Sequence, residues 1–72
     1  MRYFKRESGG DKIHITYYRV SNDCDCSTYI TNYEYYIPHF NEWALGINPN
    51  GRRFSEYVYT EITEGEMMLE ML

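Results

Sequence analysis

The segment Ser27–Pro38 constrains the fold of this chain most, because nearly every residue in it is β-branched or aromatic. It contains four of the nine tyrosines of the chain, and such side chains suit the pleated, half-buried surface of a β-sheet. Successive residues of a strand point to opposite faces, so Tyr33 and Tyr35 share one face while Glu34 lies on the other. We predict that the tyrosine face is buried and that Ser27–Ile37 is the central strand of an antiparallel sheet.

Two further segments alternate in the same way, Lys12–Val20 and Arg52–Ile62. The first is close in sequence to Ser27–Ile37 and similar in length, so these two strands should form a hairpin. Arg2–Arg6 is a candidate for a short edge strand, because its charges discourage further pairing. We therefore predict one α+β domain (residues 1–72) with an antiparallel sheet of three or four strands.

The chain from Thr63 onward carries a helix signal. Thr63 and Glu66 have the spacing of a capping box, in which the hydroxyl accepts the Glu66 amide and the carboxylate reaches back to the Thr63 backbone. Ile62 and Met67 flank the box as a hydrophobic staple. These features predict a helix from Glu64 to about Leu72, packed on one face of the sheet.

Two segments between the strands are less regular. His39–Gly46 is interpreted as a short helical turn or an irregular segment, with a short strand containing Trp43 and Leu45 as the alternative. Asn48–Gly51 has the residue order of a type I turn. The predicted core contains Ile13, Ile15, Tyr17, Tyr29, Tyr33, Tyr35, Val58 and Leu69.

The charge of the chain is unevenly distributed. Seven basic residues face eleven acidic ones, giving a net charge of −4, and no basic residue follows Arg53. We predict an acidic surface at the C-terminal end that attracts the lysines and arginines of a protein partner. The predicted partner-binding residues are Glu56, Glu61, Glu64, Glu66, Glu70, Met68 and Leu72.

The helix also predicts self-association. Methionines and leucines cover more of its circumference than one sheet face can bury. Exposed apolar surface of this kind marks interfaces, and a two-fold homodimer is the commonest way to cover it. We expect Met68 and Leu72 to lie in such a contact.

The two cysteines, Cys24 and Cys26, are separated by one residue, a spacing that rarely meets disulfide geometry. Met1 is followed at once by charged residues, without the apolar run of a signal peptide. We expect a cytoplasmic protein with free thiols.

Residues suited to metal binding or catalysis are few. Neither His14 nor His39 is linked by a motif to a nucleophile. A single Cys-x-Cys falls short of the four ligands of a zinc site. Asp23–Glu34 has the carboxylate spacing of a calcium loop, but Thr28 stands where that loop requires glycine, so cation binding there stays open. We expect no catalytic site and no cofactor.

These observations favour a non-catalytic protein-interaction module. Its size and charge resemble small phage or mobile-element proteins that inhibit a host nucleic-acid enzyme by presenting an acidic surface to a basic site. The alternative is a module that binds single-stranded nucleic acid through exposed tyrosines and the basic residues Arg2, Lys5 and Arg6. Because the chain is acidic overall, that alternative requires a strongly one-sided charge layout. A third hypothesis is a small enzyme or ligand-binding subunit with a pocket between protomers.

Overall fold

Five β-strands and one helix make up the fold of the residues that the structure describes. The computed structural model describes residues 1–71, without the side chain of Ile47. The elements are β1 Arg2–Ser8, β2 His14–Val20, β3 Ile30–Ile37, β4 Glu42–Arg52, β5 Tyr59–Ile62 and α1 Glu64–Glu70. The predicted class is confirmed: a small α+β protein with one antiparallel sheet and a short C-terminal helix. The predicted number of strands is wrong, because the sheet has five rather than three or four.

The strand order is β4-β3-β2-β1-β5, so β2 occupies the centre that was predicted for β3. β1 was expected at an edge, but it lies between β2 and β5, with Tyr3 opposite both Arg19 and Ile62. The segment predicted as one strand, Arg52–Ile62, is divided. Its first residue ends β4 and its last four residues form β5, which adds the unexpected strand.

The connection after β3 is also corrected. β2 and β3 are adjacent and antiparallel as predicted, with Arg19 opposite Glu34. The favoured helical turn over residues 39–46 is wrong. The chain turns tightly with Asn41 at φ 53°, and β4 then begins at Glu42 and runs through Trp43, as the strand alternative had it.

The predicted type I turn at Asn48–Gly51 is an irregularity inside β4. The pairing register with β3 shifts between the Asn32–Ile47 pair and the Ile30–Arg52 pair. The Asn50 amide donates to the Asn48 side chain at 3.1 Å, and Gly51 adopts φ +73°, a conformation that favours glycine. This bulge ends the regular edge of β4 at residue 47.

Both faces of the sheet are covered, which explains where the core prediction fails. One cluster contains Phe4, Tyr18, Val20, Ile30, Tyr33 and Phe54. The other contains Tyr3, Tyr17, Ile62 and Met67. Consecutive residues such as Tyr17 and Tyr18 are therefore buried on opposite sides, whereas the alternation argument assumed a single buried face.

Of the predicted core residues, Tyr17 and Tyr33 are buried, and Tyr35 and Val58 are half-buried. The others are exposed, and they are Ile13, Ile15, Tyr29 and Leu69. Ile13 and Tyr29 precede the first residues of β2 and β3, and Ile15 pairs with an exposed residue at one end of the sheet.

The helix is as its sequence predicts, although shorter. The Glu66 amide donates to the Thr63 hydroxyl at 3.1 Å, and the Thr63 amide donates to the Glu66 carboxylate at 3.5 Å, so the capping box is present. Met67 is buried beside Tyr3 and Ile62, and burial of such a side chain contributes about 1.5–3 kcal/mol. The helix is thereby held against β1.

Candidate interaction surface

On the side of the sheet that the helix covers, Lys5 and Arg19 form ion pairs with glutamates of the same chain. The Lys5 ammonium lies 2.9 Å from the Glu70 carboxylate. The Arg19 guanidinium lies 2.8 Å from Glu34 and 4.4 Å from the ring centroid of Trp43. The remaining glutamates of the helix are exposed at its N-terminal turn, so this side is acidic.

The opposite side carries a group of tyrosines around one arginine, which we call the tyrosine–arginine face. It consists of Arg6, Tyr18, Tyr33, Tyr35, Arg52 and Tyr59. Arg52 donates from Nε to the Tyr33 hydroxyl and from Nη1 to the Tyr59 hydroxyl, both at 2.9 Å. Its guanidinium carbon also lies 5.1 Å from the Tyr18 ring centroid and 5.4 Å from that of Tyr33.

Four separate elements position Arg52 and the three tyrosines around it, because β2, β3, β4 and β5 supply Tyr18, Tyr33, Arg52 and Tyr59 respectively. Phe54 lies beneath it, with its ring centroid 4.9 Å from Tyr59 and 6.0 Å from Tyr33. Gly46 leaves room for the Tyr33 ring, since a Cβ there would lie 2.1 Å from that ring. The tyrosines that hold Arg52 are therefore fixed by packing before any ligand arrives.

The charge on Arg52 is maintained by its surroundings. Partial burial by itself lowers the pKa of Arg52, but the hydrogen bonds to Tyr59 and Tyr33, together with the electrostatic effect of Tyr18 and Tyr59, raise it overall. Burial raises the pKa of Tyr18, with Arg52 acting in the opposite direction, so its phenol stays neutral. Across residues 1–71, no carboxylate lies within 4.0 Å of Arg52. The guanidinium is thus a positive charge without an anion beside it.

Two adjoining depressions meet at Arg52. The first has a volume of about 450 Å³ and is lined by Thr16, Tyr18, Tyr33, Tyr35, Leu45, Gly46 and Arg52. The second, of about 260 Å³, contains Arg6, Tyr29, Arg52, Arg53, Glu56 and Tyr59 among its lining residues. Together their walls hold three arginines and one glutamate. This surface is locally positive although the chain is acidic.

The predicted acidic residues do not gather on one surface. Glu61 receives two hydrogen bonds from Arg2, at 2.8 and 2.9 Å, and these bonds lower its pKa. Glu56 lies 3.6 Å from Arg53, and Glu70 is paired with Lys5. Arg53 is three residues from Glu56 along the chain, whereas the fold brings Arg2 to Glu61 and Lys5 to Glu70 from more than fifty residues away.

The other predicted contact residues lie at the helix. Glu64 is exposed in the first turn, and Glu66 is used in the capping box. Met68 is 60% exposed, as expected of a residue available for contact. Leu72 lies outside the described residues.

The aspartate–cysteine loop is a structural turn. The Asp25 carboxylate accepts the hydroxyl and the amide of Ser27, at 2.6 and 2.9 Å, and these bonds lower its pKa. Both thiols are free and pack against the Phe54 side of the core; burial raises the pKa of Cys26, which makes it a weak nucleophile. Within residues 1–71, no three histidine, cysteine, aspartate or glutamate side chains are grouped to hold a metal ion.

Sequence reasoning missed Arg52, the centre of the tyrosine–arginine face. The available signal was weak: Arg52 and Arg53 are the only basic residues in the second half of the chain. The two tyrosines that Arg52 contacts by hydrogen bonds, Tyr33 and Tyr59, lie 19 and 7 residues from it along the chain. Only the sheet topology brings these residues together.

In the part of the chain that the structure describes, no helix has the length and apolar character needed to cross a bilayer. Comparison with protein-family models, with curated proteins and with solved structures finds no match to this chain. The function is therefore inferred from the geometry of the surface alone.

Proposed function

We propose that this protein is a non-catalytic protein-interaction module that binds its partner through the tyrosine–arginine face. The observation that supports this most is Arg52, a charged guanidinium held by tyrosines at the junction of two depressions. Tyrosine and arginine are enriched among residues that dominate binding energy at protein interfaces. A cytoplasmic setting belongs to the same proposal, since thiols such as Cys24 and Cys26 stay reduced there.

The chemistry of the face indicates what the partner supplies. Arg52 uses Nε and Nη1 for the tyrosine hydroxyls, which leaves Nη2 for an incoming acceptor. A carboxylate on the partner would form a charge-assisted hydrogen bond there. Because Arg52 is already ordered, little side-chain entropy is lost on binding. We therefore propose a partner segment that carries an aspartate or a glutamate.

The acidic surface expected from the sequence is the weaker of two proposed contact surfaces. Glu56, Glu61 and Glu70 already have cations beside them, so a basic partner would have to compete with these pairs. Glu64 stays free for such a partner, next to exposed Met68 and Leu69. Inhibition of a host nucleic-acid enzyme, if the protein performs it, would use this smaller patch.

Binding of single-stranded nucleic acid is the second candidate function, and the charge layout favours it. Arginines surround the depressions, while the helix glutamates lie on the other side of the sheet. Tyr29 is 61% exposed, with the Arg53 guanidinium 5.5 Å from its ring centroid. A base could stack on this ring while a phosphate contacts an arginine. The net charge of −4 opposes this ligand at long range.

The test is a comparative affinity purification from the native host with the wild type, Arg52→Gln, Arg6→Gln and Glu64→Gln, read by mass spectrometry. We expect both arginine variants to lose the partner at least tenfold and Glu64→Gln to retain it. If only Glu64→Gln lost the partner, the partner contact would lie on the helix instead. Circular dichroism of each variant separates lost binding from lost folding.

The nucleic-acid candidate is tested separately with labelled single-stranded DNA and RNA. Its signature is affinity that falls steeply as salt rises and that Arg6→Gln weakens. Absence of binding at low salt removes this candidate and leaves the protein-interaction proposal in place.

A further inference from the structure

The two edges of the sheet differ strongly. β5 forms one edge with four residues, Tyr59–Ile62, and Glu61 within it is paired with Arg2. β4 forms the other edge with eleven residues. Its regular ladder with β3 extends from Glu42 to Ile47, and helix α1 lies against β1, beyond β2 and β3. The outer backbone groups of β4 are therefore open along six residues.

Between Trp43 and Ile47, the β4 edge lacks the features that normally prevent edge-to-edge pairing. Proteins blunt exposed edges with charged side chains, proline, bulges or a covering element. From Trp43 to Gly51 the sequence contains no charged residue, and Pro49 and the bulge lie past the regular ladder. Leu45 is 64% exposed in the middle of it. An open edge of this kind is a template for another strand.

We propose that the outer edge of β4 pairs antiparallel with the same edge of a second copy of this chain. The charge pattern supports this occupant. Two copies with a net charge of −4 each repel one another. The electrostatic repulsion is smallest where the uncharged segment that begins at Trp43 faces the other copy. Glu42 is the single charge on the regular ladder, and antiparallel pairing places the two copies of it at opposite ends.

The helix is a poorer surface for self-association, although Met68 and Leu69 are 60% and 72% exposed. Glu64, Glu66 and Glu70 lie in the same seven-residue helix. Two helices brought together would juxtapose these like charges. The β4 edge avoids that repulsion.

Edge pairing has a consequence for the tyrosine–arginine face. A two-fold axis that pairs identical edge strands antiparallel runs perpendicular to the sheet, so equivalent faces of both copies point the same way. The dimer then has one continuous ten-stranded sheet, and Leu45 and Gly46, which line the first depression, lie next to the axis. Two depressions adjoin one another, and a ligand with two anionic groups could occupy both.

Sedimentation at about 100 µM tests the proposal with three proteins of matched chemistry. The wild type should sediment at twice the chain mass of 8.7 kDa. Leu45→Lys should sediment as a monomer, because a charge on the edge opposes pairing. Leu69→Lys adds the same charge at an equally exposed leucine of the helix, so this control should stay dimeric.

Hydrogen exchange of the wild type gives a second readout that needs no variant. Amides of Glu42–Ile47 should exchange more slowly as the protein concentration rises, whereas those of Tyr59–Ile62 should not change. A monomeric wild type, a dimeric Leu45→Lys, or exchange at Glu42–Ile47 that is independent of concentration would each overturn the proposal. Dissociation by Leu69→Lys instead would place the dimer contact on the helix. The sedimentation and exchange experiments both leave open whether a partner binds the tyrosine–arginine face, which the affinity purification tests separately.

Discussion

Replacement of Arg52 by methionine should cost this small protein a large part of its stability. Methionine preserves most of the apolar stem and removes the guanidinium, so the change isolates the polar contacts. The lost contacts are the two hydrogen bonds to Tyr33 and Tyr59 and the two cation–π contacts with Tyr18 and Tyr33. The Tyr33 ring is buried, so its hydroxyl has few alternative partners.

The magnitude follows from these contacts. Hydrogen bonds that involve a charged group contribute about 1.5–3 kcal/mol each when buried, and because Arg52 is only half-buried we take about 1 kcal/mol for each. Each cation–π contact adds about 0.5 kcal/mol at a partly exposed site. The free energy of unfolding should therefore fall by about 2–3 kcal/mol. For a chain of 72 residues, this lowers Tm by roughly 13–20 °C.

Arg53→Met is the matched control, because it makes the same chemical change at the next residue. Arg53 is exposed and has a longer, 3.6 Å contact with Glu56, so its loss should cost less than about 1 kcal/mol. Urea denaturation of Arg52→Met, of Tyr33→Phe and of the double variant gives the coupling between Arg52 and Tyr33, and the same titration of Arg53→Met measures the control. Equal destabilisation at residues 52 and 53, or no coupling in the double-mutant cycle, would refute the reasoning.

Three further predictions concern other parts of the fold. Gly46→Ala should lower the free energy of unfolding by about 1–3 kcal/mol, because the new Cβ would lie 2.1 Å from the Tyr33 ring. Gly10→Ala, with nothing within 4 Å of its Cβ, should be neutral in the same urea titration. Glu61→Gln should cost less than about 1 kcal/mol near neutral pH. Folding lowers the pKa of Glu61, so the stabilisation from its ionised carboxylate is present above the unfolded pKa of about 4.3 and disappears as pH falls through the folded value. Thermal melts of the wild type and Glu61→Gln across the acid range measure the difference in stability. A difference that stays constant down to the lowest pH would contradict the ion pair. Thr63→Ala should remove the cap at a cost of about 1 kcal/mol, and unchanged thermal melts followed by far-ultraviolet circular dichroism would contradict its role.

The sequence predicted features that depend on neighbouring residues. The capping box at Thr63 and Glu66 is local, and it formed as expected. Alternation located β2 and β3 because each is a continuous run of strand-forming residues. Both strands end where they were predicted to end, but their starts were placed two and three residues too early, because the strand-forming residues Ile13 and Tyr29 precede the first strand residues.

Features that depend on distant pairing were not predictable. The position of β1 follows from its pairing with β5, and that contact joins residues 59 apart, such as Arg2 and Glu61. Long-range contacts also place a cation beside two of the five glutamates assigned to a partner surface, Arg2 beside Glu61 and Lys5 beside Glu70. Local charge counts cannot reveal these two pairs, because both cations come from β1. The site around Arg52 also combines four elements, so no short motif identifies it.

The position of β1 inside the sheet has a consequence for synthesis. β1 and β2 leave the ribosome before β5 and can pair at once, but the second edge of β1 is filled only by β5. The chain from the end of β2 at Val20 to the end of β5 at Ile62 takes roughly 2–8 s to translate. During this interval the nascent hairpin exposes an unpaired edge that carries Tyr3 and Phe4, both of which are buried after folding. A translational pause before β5 should therefore prolong the exposure of the unpaired, aggregation-prone edge of β1. Chaperones that bind extended apolar segments should associate with these nascent chains.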